Sequence, residues 1–332
     1  MNSIAVIMPV RNEIRHLPTV LSDLNAQDFL EPFDVVVADG MSDDGTRDLL
    51  VDLVARQPFR FNLRMVDNSR RHIADGLNLA VDNCAGVDLI VRIDGHSRLP
   101  ADYLNVIAQA LQSGMADVVG PRVMQVPGAD TAVARLISAC LSSPLGSGGT
   151  PSRGGLVAPK RVAHAVMSCY RRVVWERIGG YDTSLLSNED FDFDWRANAS
   201  GYRVYALPQP VFRLVARSTI AALVRQRWRY GFWKAAVACR HPASIHLRQF
   251  IPLVALVALP ILLCFPVVFF NALAAYLVLS WGAILLARSV AWRDRVLALV
   301  LAPVIFAVIQ GVWAAGLLGG LIANRAGGRS AG

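Results

Sequence analysis

Val87-Asp88-Leu89-Ile90-Val91-Arg92-Ile93-Asp94 reads as a buried strand, Val87 to Ile93, that ends on a carboxylate. Two earlier stretches have the same form. Ile4-Ala5-Val6-Ile7-Met8 is an apolar run closed by Pro9. Phe33 to Ala38 (FDVVVA) runs into the turn-rich Asp39-Gly40-Met41-Ser42-Asp43-Asp44-Gly45. Helices are predicted over Leu17–Leu24, Thr46–Arg56 and His72–Cys84, with Thr46 or Asp44 placed to cap the second. Leu63–Val66 makes a short strand. Alternation of strand and helix predicts an α/β fold with a mostly parallel, Rossmann-like sheet covered on both faces. Ligands on such sheets lie beyond the carboxyl ends of the strands, where Asp39 and Asp94 both fall. Further on, Pro100–Ser113 reads as a helix, Asp117–Gly120 as a strand, and Asp190–Asn198 as a helix after the Gly179-Gly180 turn. Ser142 to Gly155 (SSPLGSGGTPSRGG) is a loop, either plain surface or a gate over a cleft. It carries no GxxxxGK[ST] phosphate loop.

The chain has 332 residues, 54% of them apolar, and the apolar excess lies after Phe250. Ile251–Phe270, Ala272–Ala287 and Val296–Ala323 are long uncharged runs, the third interrupted by Pro303 and rich in glycine. The first matches the ~30 Å hydrocarbon thickness of a bilayer, so about three membrane-spanning helices are expected. Net charge is +8. Arg213, Arg217, Arg225, Arg227, Arg229, Lys234, Arg240 and Arg248 crowd the approach to these runs, with no Asp or Glu among them. Such juxtamembrane cations favour the cytoplasmic side and anionic headgroups rather than nucleic acid. Thr219–Ala238 is amphipathic and aromatic, suited to the membrane interface. Arg288, Arg293 and Arg295 point to the cytoplasm, making the first two runs a hairpin. The third is then one span, or a hairpin broken around Pro303 to Gly311. The five cysteines lack CxxC spacing, which suits a reducing compartment without structural zinc. The apolar start is too short for a signal peptide, which keeps the polar half cytoplasmic.

Three groups carry chemistry. Asp94 would project into the cleft, and His96 could share a hard cation with it, since Mn²⁺ accepts imidazole; a plain Asp turn is the alternative. Glu189 and Asp190, with Asp192 and Asp194, form a second acid cluster. Asp190 and Asp194 share a helix face, and neighbouring carboxylates raise one another's proton affinity, as suits a general base. An acidic helix N-terminus stabilised by its dipole is the alternative. Gln226 and Arg229 share a face of the interface helix, where an arginine can bind a diphosphate or a lipid headgroup.

In order along the chain, Pro9-Val10-Arg11-Asn12-Glu13, Asp39 to Thr46, Asp94-Gly95-His96, Glu189-Asp190 and Gln226-x-x-Arg229-Tyr230 resemble the motifs of family 2 inverting glycosyltransferases of the GT-A fold. Arg92 to Ser97 and Tyr230 to Lys234 look most like the membrane-anchored succinoglycan-biosynthesis (Exo-type) members. The resemblance implies a GT-A domain over 1–215, a basic interface region over 216–249, transmembrane helices over 250–324 and a tail over 325–332. It implies a multi-pass protein of the inner (plasma) membrane with its catalytic domain in the cytoplasm. A sugar would pass from a nucleotide-sugar, a UDP-hexose, to a lipid-linked saccharide in exopolysaccharide or cell-envelope glycan synthesis, alongside other glycan-assembly enzymes.

Residue by residue, the resemblance places Pro9, Arg11, Glu13, Asp39, Asp94 and Gln226 on the donor. It places Asp94 and His96 on a divalent metal (Mg²⁺ or Mn²⁺), and Asp190, Glu189 and Arg229 in catalysis. His96 stands where the family has a second Asp, which leaves the metal's identity open. Tyr230 stands where it has Trp, which favours single-sugar addition over processive synthesis. A polyprenyl-phosphate sugar transferase and a catalytically silent membrane scaffold are the competing readings. A nucleotidyltransferase is disfavoured, because Pro9 to Glu13 contains no glycine.

Overall fold

The computed structural model describes residues 3–153, 155–285 and 290–327. Arg288, part of the topology expectation above, lies outside them. The chain opens with alternating elements: β1 (Ile4–Val10), α1 (Leu17–Asn25), β2 (Phe33–Asp39), α2 (Thr46–Arg56), β3 (Asn62–Asp67), α3 (Ile73–Asp82) and β4 (Leu89–Arg92). These four strands pair in parallel, in the order β3-β2-β1-β4. Their apolar runs are nearly continuous because both faces are covered. Alternate residues serve opposite cores. Val6, Met8, Val35 and Val37 pack with Leu17, Leu21 and Leu24 of α1. Ala5, Ile7, Val36 and Ala38 pack with Ala74, Leu77 and Val81 of α3. Val10, Asp39 and Asp67 share one register line, so the carboxyl ends of three strands finish level.

The remainder of the sheet is less regular. The chain continues through β5 (Ser97–Arg98), α4 (Tyr103–Gln112), β6 (Val118–Val126), α5 (Ala132–Ser142), α6 (Pro144–Ser147), β7 (Lys160–Arg161), β8 (Cys169–Arg171), α7 (Arg172–Ile178), α8 (Glu189–Ala199) and β9 (Val204–Val215). β8 pairs antiparallel with β4 and β6, and β5 and β7 pair antiparallel with β9. The nine described strands follow the order β3-β2-β1-β4-β8-β6-β9-β5, with β7 also on β9. The sheet is therefore mixed. Strands of two or three residues are too short to show a periodicity, which is why β5, β7 and β8 leave no mark in the sequence pattern, whereas the expected strand Asp117–Gly120 falls at the start of β6. The start of α2 also differs from expectation. Gly45, at φ +94°, is the residue before the helix, and the Asp44 carboxylate accepts the Thr46 N–H at 3.0 Å.

Two compact units result. The first comprises residues up to Met124 together with Pro151–Leu214; the second comprises Gln125–Thr150 and everything from Val215. In the second unit, Thr219 caps α9 (Ile220–Arg240) by accepting the Ala222 N–H at 3.2 Å. Then follow α10 (Leu247–Leu263), α11 (Pro266–Leu285), α12 (Arg295–Ala307), a π-helical turn (Val308–Val312) and α13 (Trp313–Gly327). The expected first span, Ile251–Phe270, is split between α10 and α11. Pro266 cannot donate an N–H and disfavours helix at the residue before it, so it opens α11 rather than continuing α10. Among the described residues, two helices are long and apolar enough to cross a membrane, Pro266–Leu285 and Trp292–Arg325.

Pro303 does not break the second of these into a hairpin. It deprives the Leu299 carbonyl, one turn earlier, of its donor, and Trp281 Nε1 of α11 donates to that carbonyl at 2.8 Å. Tyr276 donates to the Pro303 carbonyl at 2.5 Å. An ion pair fixes the helix start: Arg135 of α5 grips the buried Asp294 with two bonds of 2.7 and 2.9 Å.

α9 and α13 approach backbone to backbone. A Cβ on Gly231 would collide with the Trp313 carbonyl, one on Gly316 with the Trp228 carbonyl, and one on Gly320 with the Phe232 carbonyl. Gly319 differs, because its nearest neighbour would be Trp228 Cη2 at 3.4 Å. Gly316→Ala is therefore expected to destabilise the protein by about 1–3 kcal/mol through overpacking. Gly319→Ala should be neutral or gain up to about 1 kcal/mol from helix propensity. Thermal denaturation of the two variants in detergent distinguishes them.

Candidate active site

The site is built at the carboxyl ends of β1, β2 and β4. The chain leaves β1 through Pro9 and Val10 and turns at Asn12, which adopts φ +59°. Asparagine tolerates this left-handed geometry better than most residues. The turn is latched to the loop after β2. Asn12 N–H donates to Ser42 Oγ (2.9 Å), Asn12 Nδ2 to Asp43 (2.8 Å), Glu13 N–H to Thr46 Oγ1 (2.9 Å) and Ile14 N–H to Asp44 (3.2 Å). The two motifs, thirty residues apart in sequence, thus form one rigid edge. Arg11 is exposed.

Asp39 is fully buried at the end of β2. It accepts from the Ser42 hydroxyl at 2.6 Å and from Arg47 at 3.1 Å. Arg47 also forks onto Asp67 with bonds of 2.8 and 2.9 Å, and the pairing holds Asp67 below the usual carboxylate range.

Asp94 follows β4. Its backbone carbonyl accepts from Ser97 N–H and Oγ, which leaves its carboxylate partly exposed, 25% of the side chain. Gly95 lets the turn press against the β1 loop: an added Cβ would lie 2.9 Å from Val10 Cγ1 and 3.2 Å from Glu13 Cγ. His96 Nδ1 then meets Glu13 Oε1 at 2.9 Å.

The second acid cluster starts at Asn188, itself at φ +64°, the N-cap of α8. Arg92 of β4, 4% exposed, joins it to the first. Its Nη2 lies 3.1 Å from Glu189 Oε1 and 3.7 Å from Asp94 Oδ1, and its guanidinium stacks over Tyr181 at 5.9 Å. Burial, aided by Asp190, raises the proton affinity of Glu189, against the pull of Arg92.

Asp190 behaves in the opposite sense. Burial acts to raise it, but His164, Arg92 and the Phe191 N–H outweigh burial and hold it below the usual carboxylate range. The expectation that clustering raises the proton affinity of Asp190 therefore fails, because two cations accompany the carboxylates. Asp194, one turn on, is fully buried and bonded to His164, Ala165 N–H and Ser168. Asp192 instead pairs with Arg196 at 2.7 Å, and Arg196 donates to the Ile178 and Gly180 carbonyls.

Pro9, Arg11, Glu13 and Asp39 thus share one latched edge, Glu13 touches His96, and Asp94 reaches Glu189 through Arg92. Gln226 and Arg229 lie on α9 of the second unit, where Gln226 bonds Tyr230 at 3.4 Å and Arg229 lies 6.0 Å from the Tyr230 ring. Sequence reasoning passed over Arg92 and His164 as actors. A charge inside an apolar strand was the signal for Arg92. His164 belongs to no pattern and gains its place through tertiary contacts alone.

A sequence profile described as "Glycosyl transferase family group 2" matches residues 89–318. The chain is 32% identical over 254 residues to the succinoglycan biosynthesis protein ExoA of Rhizobium meliloti (strain 1021), covering 75% of this chain and 74% of that protein.

This protein belongs to glycosyltransferase family 2.

The glycosyltransferase is also 23% identical over 240 residues to a Methanococcus voltae enzyme, dolichyl N-acetyl-α-D-glucosaminyl phosphate 3-β-D-2,3-diacetamido-2,3-dideoxy-β-D-glucuronosyltransferase, covering 70% of this chain and 72% of that one. Its fold matches the mannosyltransferase PcManGT of Pyrobaculum calidifontis, solved with GDP-Man and Mn²⁺. There the TM-score is 0.61 at 22% identity, over 94% of this chain and 87% of the other. It also matches S. aureus TarS 1-349 with UDP, with a TM-score of 0.50 at 16% identity, over 98% and 92%. These are GT-A glycosyltransferases, so the GT-A expectation holds.

Gly95→Ala tests the tight seam in the glycosyltransferase between the β1 loop and the Asp94 turn. Overpacking there is expected to cost about 1–3 kcal/mol, read as a lowered melting temperature. An unchanged melting temperature would mean that Val10 and Glu13 yield without strain.

Proposed function

We propose that this family 2 enzyme transfers a hexose, with inversion, from a UDP-sugar to a lipid-linked saccharide at the cytoplasmic face of the inner membrane, in exopolysaccharide or cell-envelope glycan synthesis. The observation that carries the reading is the placement of Asp190 at the start of α8, its carboxylate 3.9 Å from His164 Nε2 and held below the usual carboxylate range by His164 and Arg92. A base for a sugar hydroxyl must be unprotonated when the acceptor arrives. In the reaction, the acceptor O–H gives its proton to Asp190 as its oxygen bonds to the anomeric carbon. The bond from that carbon to the diphosphate oxygen breaks, and its electron pair leaves with the nucleoside diphosphate. Buried Asp39 and the latched Pro9, Arg11 and Glu13 edge hold the nucleoside. Glu189, through Arg92, keeps the base in its charge balance. Gln226 and Arg229 of α9 take the leaving diphosphate.

A divalent cation fits this residue set as a companion of the substrate rather than as a caged ion. Among the described residues no three His, Cys, Asp or Glu side chains converge as a metal cage. Mg²⁺ and similar ions bind through one or two protein groups plus substrate phosphates. Asp94 offers a partly exposed carboxylate. His96, with Nδ1 against Glu13, has the outer bond that orients imidazole ligands and directs Nε2 to a metal. When bound, such an ion neutralises the diphosphate charge.

The lipid-linked acceptor is supported by the Methanococcus voltae relative, whose name describes transfer to a sugar on dolichyl phosphate. Two apolar helices of spanning length and the cations of α9 support the membrane setting. We expect domain 1–215 to carry the chemistry, 216–249 to lie at the interface and 250–324 to anchor, with other glycan-assembly enzymes as neighbours.

Nucleotide binding measured with UDP, GDP and dTDP, with and without Mn²⁺ or Mg²⁺, tests the donor site. Metal-assisted binding of one nucleotide that is lost in Asp94→Ala supports it, and no binding under any condition favours a silent scaffold. Asp190→Asn should keep nucleotide affinity yet lower kcat by about 10²–10⁴-fold. Full transfer activity in that variant would sink the assignment of the base.

A further inference from the structure

Between β7 and β8 the chain places His164 between two carboxylates of α8. Its Nδ1 lies 2.8 Å from Asp194 Oδ2, and its Nε2 lies 3.9 Å from Asp190 Oδ2. The far end of this chain is firmly built. Asp194 is fully buried and also accepts the Ala165 N–H at 2.8 Å and the Ser168 hydroxyl at 2.7 Å. The imidazole packs against Phe191, ring centroids 5.4 Å apart. With one edge bonded and one face packed, the ring has a single orientation, and its second nitrogen is turned to Asp190.

We propose that His164 is a positioning residue for the catalytic base: an imidazolium clamped by Asp194, it presents its Nε2–H to Asp190 and fixes the place and charge of that carboxylate. This rests on the reading of Asp190 as the base. The imidazolium keeps its proton during transfer; the acceptor's proton goes to Asp190 alone. None of the motifs that carry the family resemblance includes His164.

The surrounding charges are consistent with this. His164 faces Asp190 and Asp194 from α8 and feels Arg153 from the turn after α6. Burial works against a charged ring and Arg153 adds to that, but the two carboxylates prevail and raise its proton affinity. Asp190 in turn faces His164 and Arg92 of β4 and adjoins Glu189. Burial alone would leave Asp190 protonated more readily than an ordinary aspartate. The cation at His164 is the first of the influences that reverse this.

The sign of the test follows. Removing a neighbouring cation raises the proton affinity of Asp190, so the acid limb of the kcat/KM profile must move to higher pH. His164→Gln in the full-length protein, in detergent or membranes and with the nucleotide-sugar selected by the binding series, should show this shift. A loss of kcat of roughly ten- to a hundredfold at neutral pH is expected to accompany it. Asp194→Asn, which keeps the ring but weakens its clamp, should shift the limb in the same direction and less far.

Loss of activity without movement of the limb would make His164 a packing residue and overturn the proposal, as would an unchanged profile. If neither variant folds, the wild type decides alone. Its acid limb must lie at or below the ordinary aspartate range, and a limb well above that range overturns the proposal. Asp190→Asn separates the two levels. If it is inactive while the His164→Gln limb stays in place, only the role of His164 falls. If it is fully active, the base assignment falls and takes this inference with it.

Discussion

One buried guanidinium, that of Arg92, joins the two acid motifs. Asp94, Glu189 and Asp190 come from two motifs that the fold brings to one place, and three neighbouring carboxylates, one of them buried, repel one another and favour taking up protons. Arg92 offsets this. It lies on β4, where Arg92 pairs in register with Ile7 of the central strand, and its partner Glu189 is 97 residues away in sequence. Placing a charge in so dry a position is costly unless it is matched; here Glu189, Asp94 and the face of Tyr181 offset it, while its Nε and Nη1 are buried without a hydrogen-bond partner. Strand pairing therefore places the guanidinium, which meets the first residue of α8, Glu189, at 3.1 Å.

The parallel half of the sheet was readable because strands buried on both faces must be apolar throughout. β1, β2 and β4 could scarcely be anything else. Of the antiparallel half only the start of β6 was readable, because short strands such as β7 and β8 are held by their neighbours rather than by any pattern of their own. At the site, residues at strand ends could be placed from the chain alone: Asp39 and Asp94 fall there by the geometry of a parallel sheet. What could not be read was electrostatic company. Asp190 and Asp194 were correctly seen to share a helix face, but the ring between them comes from a distant segment. Its presence reverses the sense in which Asp190 is perturbed.

In the second unit shape matters as well as the Arg135–Asp294 ion pair. Glycines on α9 and α13 let two backbones meet where side chains would keep them apart. The proline in α12 is tolerated because a tryptophan on the adjacent helix supplies the donor that the proline removed. An unmatched carbonyl in an apolar setting is expensive, so α11 and α12 are matched by two specific hydrogen bonds as well as by their apolar surfaces.

The path of the chain between the units has a practical side. α5 lies early in sequence but belongs to the second unit, where Leu136, Ile137 and Leu141 are buried with Ile284, Ala298, Ala302, Ile305 and Phe306. A soluble fragment made by stopping the chain after β9 would keep α5 and discard the surface that covers it. Those side chains would then face water as a contiguous greasy stripe, the kind of patch that draws proteins into aggregates. Separating the first unit from its apolar companion means ending the chain after β9 and also excising residues 125–150, with a polar linker in their place.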